Sequence, residues 1–230
     1  MRVAIIPARG GSKRIPRKNI KLFHGKPIIA YSIEVALRSG CFDKVIVSTD
    51  NQEISEVAKS YGAEVPFVRA PELADDFTGT NAVVADALLR LNISTGEACC
   101  IYATAPFITI KSIAEGLERL KSCDAEYAVT VTSFPFPIQR AAIVNTNHML
   151  ELNEPKHRMT RSQDLVEMLH DAGQIYWGTA EAFLRDRPLF SGTTAPIVLP
   201  RHFVQDIDNN EDWLRAEAMY EVLLSQGEFA

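Results

Sequence analysis

The strongest constraint on this chain is an alternation. Short runs rich in β-branched residues are each followed by a segment with helical periodicity. Residues 3–7 read as a buried strand, and residues 28–38 as a helix stopped at Ser39-Gly40. A strand at 45–48 precedes a helix that places Ile54, Val57, Ala58 and Tyr61 on one face before Gly62 ends it. The spacing then predicts a third strand at 65–68 and a helix at 81–91, with Val84, Ala87, Leu88 and Leu91 three or four apart. A strand at 98–102, a helix at 110–122 and a strand at 127–132 continue the pattern. Such repetition predicts an α/β fold: right-handed crossovers put helices on both faces of a largely parallel sheet, and ligands bind beyond the carboxyl ends of its strands.

The rhythm breaks after residue 133. Phe-Pro-Phe-Pro at 134–137, Asn-Thr-Asn-His at 145–148 and Glu-Pro-Lys-His-Arg at 154–158 predict an excursion over residues 134–170, a lid or a dimerisation arm. A strand at 173–178, a short strand at 197–199 and a helix at 211–224 follow. The 230 residues suit one domain, 1–230, and 47% hydrophobic against 23% charged residues excludes a disordered chain. No apolar run approaches the roughly 20 residues that span a bilayer, and the chain opens on a strand-like segment, so a cytoplasmic protein without membrane contact is expected. Cys41, Cys99, Cys100 and Cys123 lack metal-ligand spacing and read as reduced core residues.

A net charge of -5 argues against nucleic acid as a partner and makes residues 9–21 conspicuous: Arg9, Lys13, Arg14, Arg17, Lys18 and Lys21 occur there without one acid. This loop follows the first strand. Gly10 and Gly11 let backbone N–H groups approach a polyphosphate, Ser12 adds a donor, and the cations oppose its charge. The stretch is neither a Walker A loop nor a G-x-G-x-x-G fingerprint. A solvated basic surface is the plain alternative. A second candidate is Asp206-Ile-Asp208: in an extended segment both carboxylates share a face and could hold Mg²⁺ through hard oxygen ligands. Its alternative is a polar edge before a capped helix, with Asn209 or Asn210 as cap and Glu211 and Asp212 favoured by the dipole.

The stretch 6–20, Ile-Pro-Ala-Arg-Gly-Gly-Ser-Lys-Arg-Ile-Pro-Arg-Lys-Asn-Ile, resembles the opening motif of the CMP-sialic acid synthetases, the acylneuraminate cytidylyltransferases. Residues 42–50, 69–76 and 205–213 resemble that family in its own order, so the likeness spans nearly the whole chain. It implies a Rossmann-like nucleotidyltransferase fold, CTP and an acidic nine-carbon 2-keto sugar as substrates, Mg²⁺ as cofactor, and a homodimer whose arm reaches the partner's active site. Carried onto this chain, Arg9, Lys13 and Lys18 would hold the triphosphate and stabilise the departing pyrophosphate. Ala8, Gly10, Gly11, Ser12 and Asn19 would complete the phosphate loop, while Arg69, Asp76, Thr78 and Thr80 would surround the cytidine. Asp206 and Asp208 would hold the metal. No side chain identifies itself as the proton acceptor, so metal-assisted acidification of the sugar hydroxyl is the expected route.

The sugar pocket departs from the sialic acid pattern. The chain has Ala-Thr-Ala-Pro at 103–106 where those enzymes typically carry Gln-Pro-Thr-Ser-Pro, and His-Asp-Ala-Gly at 170–173 where they carry Arg-Pro-Asn-Gly. Tyr-Ala-Thr-Ala-Pro-Phe at 102–107, Arg-Ser-Gln-Asp at 161–164 and His-Asp-Ala-Gly-Gln-Ile-Tyr-Trp-Gly at 170–178 resemble the pseudaminic acid branch and implicate Ala103, His170, Asp171, Gln174 and Tyr176 in sugar binding. Each has a simpler reading as well: Thr80 as a helix cap, His170 as a structural hydrogen-bonding residue and Tyr176 as core. Trp177, on the opposite face of its strand, should pack. The same reaction on N-acetylneuraminate, legionaminate or Kdo is the nearest rival, and a noncatalytic nucleotide-binding protein the more distant one.

Overall fold

The computed structural model describes residues 1–75 and 78–229. In chain order its elements are β1 (Arg2–Pro7), the hairpin strands β2 (Leu22–Phe23) and β3 (Lys26–Pro27), α1 (Ile28–Arg38), β4 (Lys44–Ser48), α2 (Gln52–Ser60), α3 (Thr80–Arg90), β5 (Glu97–Ile101) and α4 (Ile110–Ser122). Then come β6 (Tyr127–Ser133), β7 (Ala142–Val144), β8 (Leu150–Leu152), β9 (Leu169–Thr179), α5 (Ala180–Leu184), β10 (Thr194–Val198) and α6 (Asn210–Ser225). Six strands form the main sheet in the order β10-β6-β9-β5-β1-β4. β1 pairs in parallel with β4 and β5, and β10 in parallel with β6. The expected α/β architecture with a largely parallel sheet is therefore present. One strand runs against it: β9 lies antiparallel between β5 and β6.

Strand alternation divides the core. Ala4 and Ile6 of β1 pack with Ile29, Ile33, Val47 and Ile113 on one face, whereas Val3 and Ile5 pack with Val84, Leu88, Tyr127 and Phe183 on the other. Trp177 is fully buried on the first face, its indole N–H donating to the Ile113 carbonyl at 3.0 Å. Helix α4 approaches so closely that a Cβ on Gly116 would lie 2.4 Å from Trp177 Cδ1. Helix starts are fixed locally: Asn51 accepts from the Ile54 N–H of α2, and Thr109 with Ser112 forms a capping box on α4. A third, aromatic cluster (Phe23, Tyr31, Trp213 and Tyr220 among its members) seats α6 beside the β2–β3 hairpin.

Four expectations need correction. Residues 65–68 form no strand; only isolated bridges join Glu64 to Ile46 and Val68 to Thr49, because Pro66 between them has no N–H to give the ladder. The returning strand begins at Leu169, so the end of the 134–170 excursion already belongs to the sheet. Cys123 is exposed at the end of α4, although Cys41, Cys99 and Cys100 are buried thiols as expected. Thr80 does not cap α3: Gly79 stands at that position and no side chain caps the helix. The excursion itself carries the β7–β8 hairpin, with Val144 and Leu150 more than half exposed. No helix among the described residues is long and apolar enough to cross a membrane.

Candidate active site

The carboxyl ends of β1 and β5 open onto a cavity of about 580 Å³ lined by the loop after β1, the segment before α3, the start of α3, the residues after β5 and Asp208. Its geometry starts from the loop. Ala8 continues the β1–β4 pairing by donating to the Ser48 carbonyl at 2.9 Å. The Gly10 N–H then donates to Asp50 Oδ1 at 2.8 Å, and a Cβ on Gly10 would lie 2.9 Å from Asn51 Cβ, so backbone and α2 cap meet where only glycine fits. Buried Asn19 donates to the Arg9 carbonyl at 2.9 Å and ties the end of the loop to its beginning.

Of the six loop cations, Arg9, Lys13, Arg14 and Lys18 line the cavity. The other two are directed elsewhere: Arg17 pairs with Glu53, and Lys21 lies over the Trp213 ring at 4.1 Å. Arg69 adds a fifth cationic wall residue from the far side, buried to 3% exposure with Nε donating to Ser48 Oγ at 3.1 Å. Among the described residues, five cations face two lining carboxylates, Asp75 and Asp208. The cavity is therefore a site for a polyanion.

Lys18 joins the two sequence-distant halves. Its Nζ donates to the Ile207 carbonyl at 2.6 Å and lies 3.7 Å from Asp208 Oδ1. Burial lowers its pKa, while Asp208 and Asp206 oppose that shift. Arg14 Nη2 reaches the same Asp208 oxygen at 2.8 Å. Asp206 is exposed and Asp208 half-buried on either side of fully buried Ile207, and only Asp208 lines the cavity. Asp206 remains exposed at the surface, yet crowding around its carboxyl, then the charge of Asp208, pushes its pKa up. Asp208 N–H and Asn209 N–H both donate to Asp212 at 3.0 Å, and Asn209 caps α6, so Asp212 serves the cap and not the cavity. Asp206 and Asp208 offer hard oxygen ligands of the kind a divalent cation takes, although Asp208 already meets Arg14 and Lys18, with which such an ion would compete. Among the described residues no group of three His, Cys, Asp or Glu side chains gathers to hold one, so the remaining ligands would be phosphate oxygens and water.

Beyond the loop, Arg9 Nη1 donates to the Asp75 carbonyl at 2.7 Å, and Thr78 donates through N–H and hydroxyl to Asp75 Oδ1, both at 2.7 Å. Asp76 lies outside the described residues. Thr80 Oγ1 is 3.0 Å from the Tyr102 hydroxyl. Ser12, Asn19, Arg69, Thr78, Thr80 and Ala103 line the cavity, whereas Ala8, Gly10 and Gly11 support it from the loop backbone.

The remaining sugar candidates lie beyond its lining, on β9. His170 packs against Phe134 at 4.7 Å, with Nδ1 2.8 Å from the Asp171 carbonyl. Gln174 is buried and donates to the Phe203 carbonyl, leaving Oε1 without a hydrogen-bond partner. Tyr176 is buried too, its hydroxyl donating to both Asp171 oxygens at 2.8 Å. Tyr102 and Arg14, absent from the sequence-derived candidate set, belong to the cavity wall. Arg14 carried a signal as a loop cation; Tyr102 read as the end of an apolar strand and as the first residue of the 102–107 stretch that resembles the pseudaminic acid branch.

The chain is similar over nearly its whole length to known proteins. The pseudaminic acid cytidylyltransferases of two Campylobacter jejuni strains are 45% identical over 223 residues, 96% of each chain. The CMP-N,N'-diacetyllegionaminic acid synthase of Legionella pneumophila is 31% identical over 230 residues, again 96% of each. The solved structure of CMP:2-keto-3-deoxy-manno-octonic acid synthetase complexed with CTP superposes with a TM-score of 0.69 at 17% identity, covering 98% of this chain and 99% of that one, and so shares its fold. Residues 3–222 match the cytidylyltransferase family, and the chain belongs to that family.

Proposed function

We propose that the cavity binds CTP and that the chain transfers CMP to a nine-carbon 2-keto acid sugar, pseudaminic acid, releasing pyrophosphate. The observation that carries this reading is the cavity wall itself: four cations from one glycine-bearing loop, with Arg69 opposite, at the strand ends where such folds bind ligands. The 45% identity to enzymes named for pseudaminic acid favours that sugar. Arg9, Lys13 and Lys18 neutralise the triphosphate and the charge that grows on the leaving pyrophosphate. The loop backbone around Gly10 and Gly11 approaches the phosphates, and Arg69, Thr78 and Thr80 orient the nucleoside. Ala103 is the cavity-lining member of the sugar set, while His170, Asp171, Gln174 and Tyr176 present or support the β9 side.

Catalysis is then positioning plus electrostatics: the anomeric hydroxyl is held in line with the α-phosphorus, and preorganised cations receive the displaced charge. Asp206 and Asp208 are proposed to hold Mg²⁺. When bound, the ion supplies Lewis-acid polarisation of a phosphate oxygen. The excursion is proposed to pair two copies into a homodimer, since exposed Val144, Met149 and Leu150 cluster on its hairpin. Sedimentation should show a dimer; a monomer at working concentration would remove that part. A cytoplasmic location goes with the reading.

The test is pyrophosphate release with CTP, Mg²⁺ and a panel of pseudaminic, legionaminic, N-acetylneuraminic and Kdo acids. Pseudaminic acid should give the highest kcat/KM. Faster release with another sugar would reassign the substrate, and release with none would refute the transferase.

A further inference from the structure

The peptide that joins Arg9 to Gly10 is held at both of its polar ends. Buried Asn19 donates to its carbonyl at 2.9 Å, and Asp50 Oδ1 accepts its N–H at 2.8 Å. Asp50 is itself fixed by its neighbours: the Thr49 carbonyl accepts the Arg69 N–H at 2.8 Å, and Asn51 caps α2. The next amide in the loop differs. The Gly11 N–H has no acceptor among the described residues, and a Cβ on Gly11 would meet nothing within 4 Å.

An exposed carboxylate beside a site for a polyanion calls for a reason. By charge alone Asp50 repels the triphosphate that the loop cations attract. It could also compete with a phosphate oxygen for the Gly10 N–H. The geometry speaks against competition: neither Gly10 nor Asp50 lines the cavity, whereas Arg9 and Ser12 on either side of the glycines do. Gly10 instead packs on the α2 cap, where a Cβ would lie 2.9 Å from Asn51 Cβ. Its N–H therefore points into the protein framework, and Asp50 is what receives it there.

We infer that Asp50 is a positioning residue for the nucleotide: by holding the Gly10 N–H away from the cavity, it sets the turn that aims the Arg9 side chain inward and leaves the Gly11 N–H for a phosphate oxygen. Asp50 acts through the hydrogen bond it accepts, and its charge works against the ligand. A loop fixed before the ligand arrives spends less binding energy on being ordered. This inference rests on the CTP reading and assigns part of the affinity to a side chain that touches neither nucleotide nor sugar.

The experiment is equilibrium binding of CTP, with Mg²⁺ and without sugar, by calorimetry on the full chain and its Asp50→Asn and Asp50→Ala variants, each paired with a thermal melt. Asparagine keeps an acceptor oxygen and drops the charge; alanine drops both. Asp50→Ala should bind CTP about tenfold more weakly than wild type, the value of roughly one hydrogen bond, and Asp50→Asn should stay within about threefold. Charge acting alone would make both variants bind more tightly, and a role in folding alone would lower Tm without moving the affinity. Should Asp50→Ala not fold, Asp50→Leu, which keeps the outline of the side chain without its acceptors, takes its place. An acceptor-free variant within about threefold of wild type, or tighter, overturns the inference, as does Asp50→Asn weakened by more than that; the CTP reading survives either result. Wild type that binds no CTP refutes the CTP reading, and the inference falls with it.

Discussion

Lys18→Met separates a cation that works on the ligand from one that merely straps the fold. The substitution keeps most of the apolar stem and removes the ammonium group. In the free protein the loss is small. The bond to the Ile207 carbonyl, at 2.6 Å from a charged donor, contributes about 1–2 kcal/mol. The contact with Asp208 at 3.7 Å adds little, because that side chain is 39% exposed and already meets Arg14; the surface-pair range of about 0.2–1 kcal/mol applies. Against these stands the burial that lowers the Lys18 pKa, a desolvation cost that disappears in the variant. The net destabilisation should be about 1 kcal/mol, or about 2–4 °C in Tm for a chain of this size. Turnover should suffer far more. Removing one preorganised charge from a site where phosphate charge develops costs on the order of a hundredfold to a thousandfold in kcat. Pyrophosphate release at saturating CTP, paired with a thermal melt, reads both numbers. A fall in kcat below about threefold with a Tm loss above about 5 °C would contradict the reasoning and make Lys18 a structural strut.

Further predictions concern the same cavity. Lys13→Ala should abolish turnover with the melt unchanged, and near-normal activity would take the loop out of the chemistry. Asp206→Asn together with Asp208→Asn should raise the Mg²⁺ concentration needed for half-maximal rate steeply; an unchanged requirement would leave both as surface residues. The Asp206 pKa is raised above 3.8 on folding, so its stabilising contribution is complete below that pH and is lost as pH rises through the folded value. Asp206→Asn alone, without added metal, should therefore be more stable than wild type at pH 7, with the gap closing towards pH 3; melts across that range check the sign. Gly10→Ala should cost about 1–3 kcal/mol and weaken CTP binding, because its Cβ would press on the Asn51 side chain that caps α2.

Much of this was legible in the chain because local rules and the fold agree. The alternation of strand and helix periods located the sheet, and the charge anomaly at residues 9–21 located the cavity at the end of β1. What could not be read was long-range. Nothing in the sequence couples Lys18 to Ile207 and Asp208, some 190 positions away, or separates the four loop cations that face the cavity from Arg17 and Lys21, which Glu53 and Trp213 draw off. The failed strand at 65–68 shows apolar β-branched residues outweighing Pro66 in the reading, whereas the missing N–H decided the structure. Thr80 looked like a helix cap because capping chemistry is local, and its bond to Tyr102 appears only once β5 lies beside α3. The capping of α6 needed no tertiary information: Asn209 was one of the two caps expected, and Asp212, expected only to favour the dipole, closes a capping box with it.

The most direct test of the central claim follows the label in CTP. With pseudaminic acid, Mg²⁺ and wild-type protein, CTP labelled at the α-phosphorus should pass its label to a CMP-sugar, and CTP labelled at the γ-phosphorus should release it all as pyrophosphate, one for one with that product. Label from the γ-position appearing on the sugar, or pyrophosphate released without a sugar nucleotide, would contradict attack at the α-phosphorus and with it the account of the cavity.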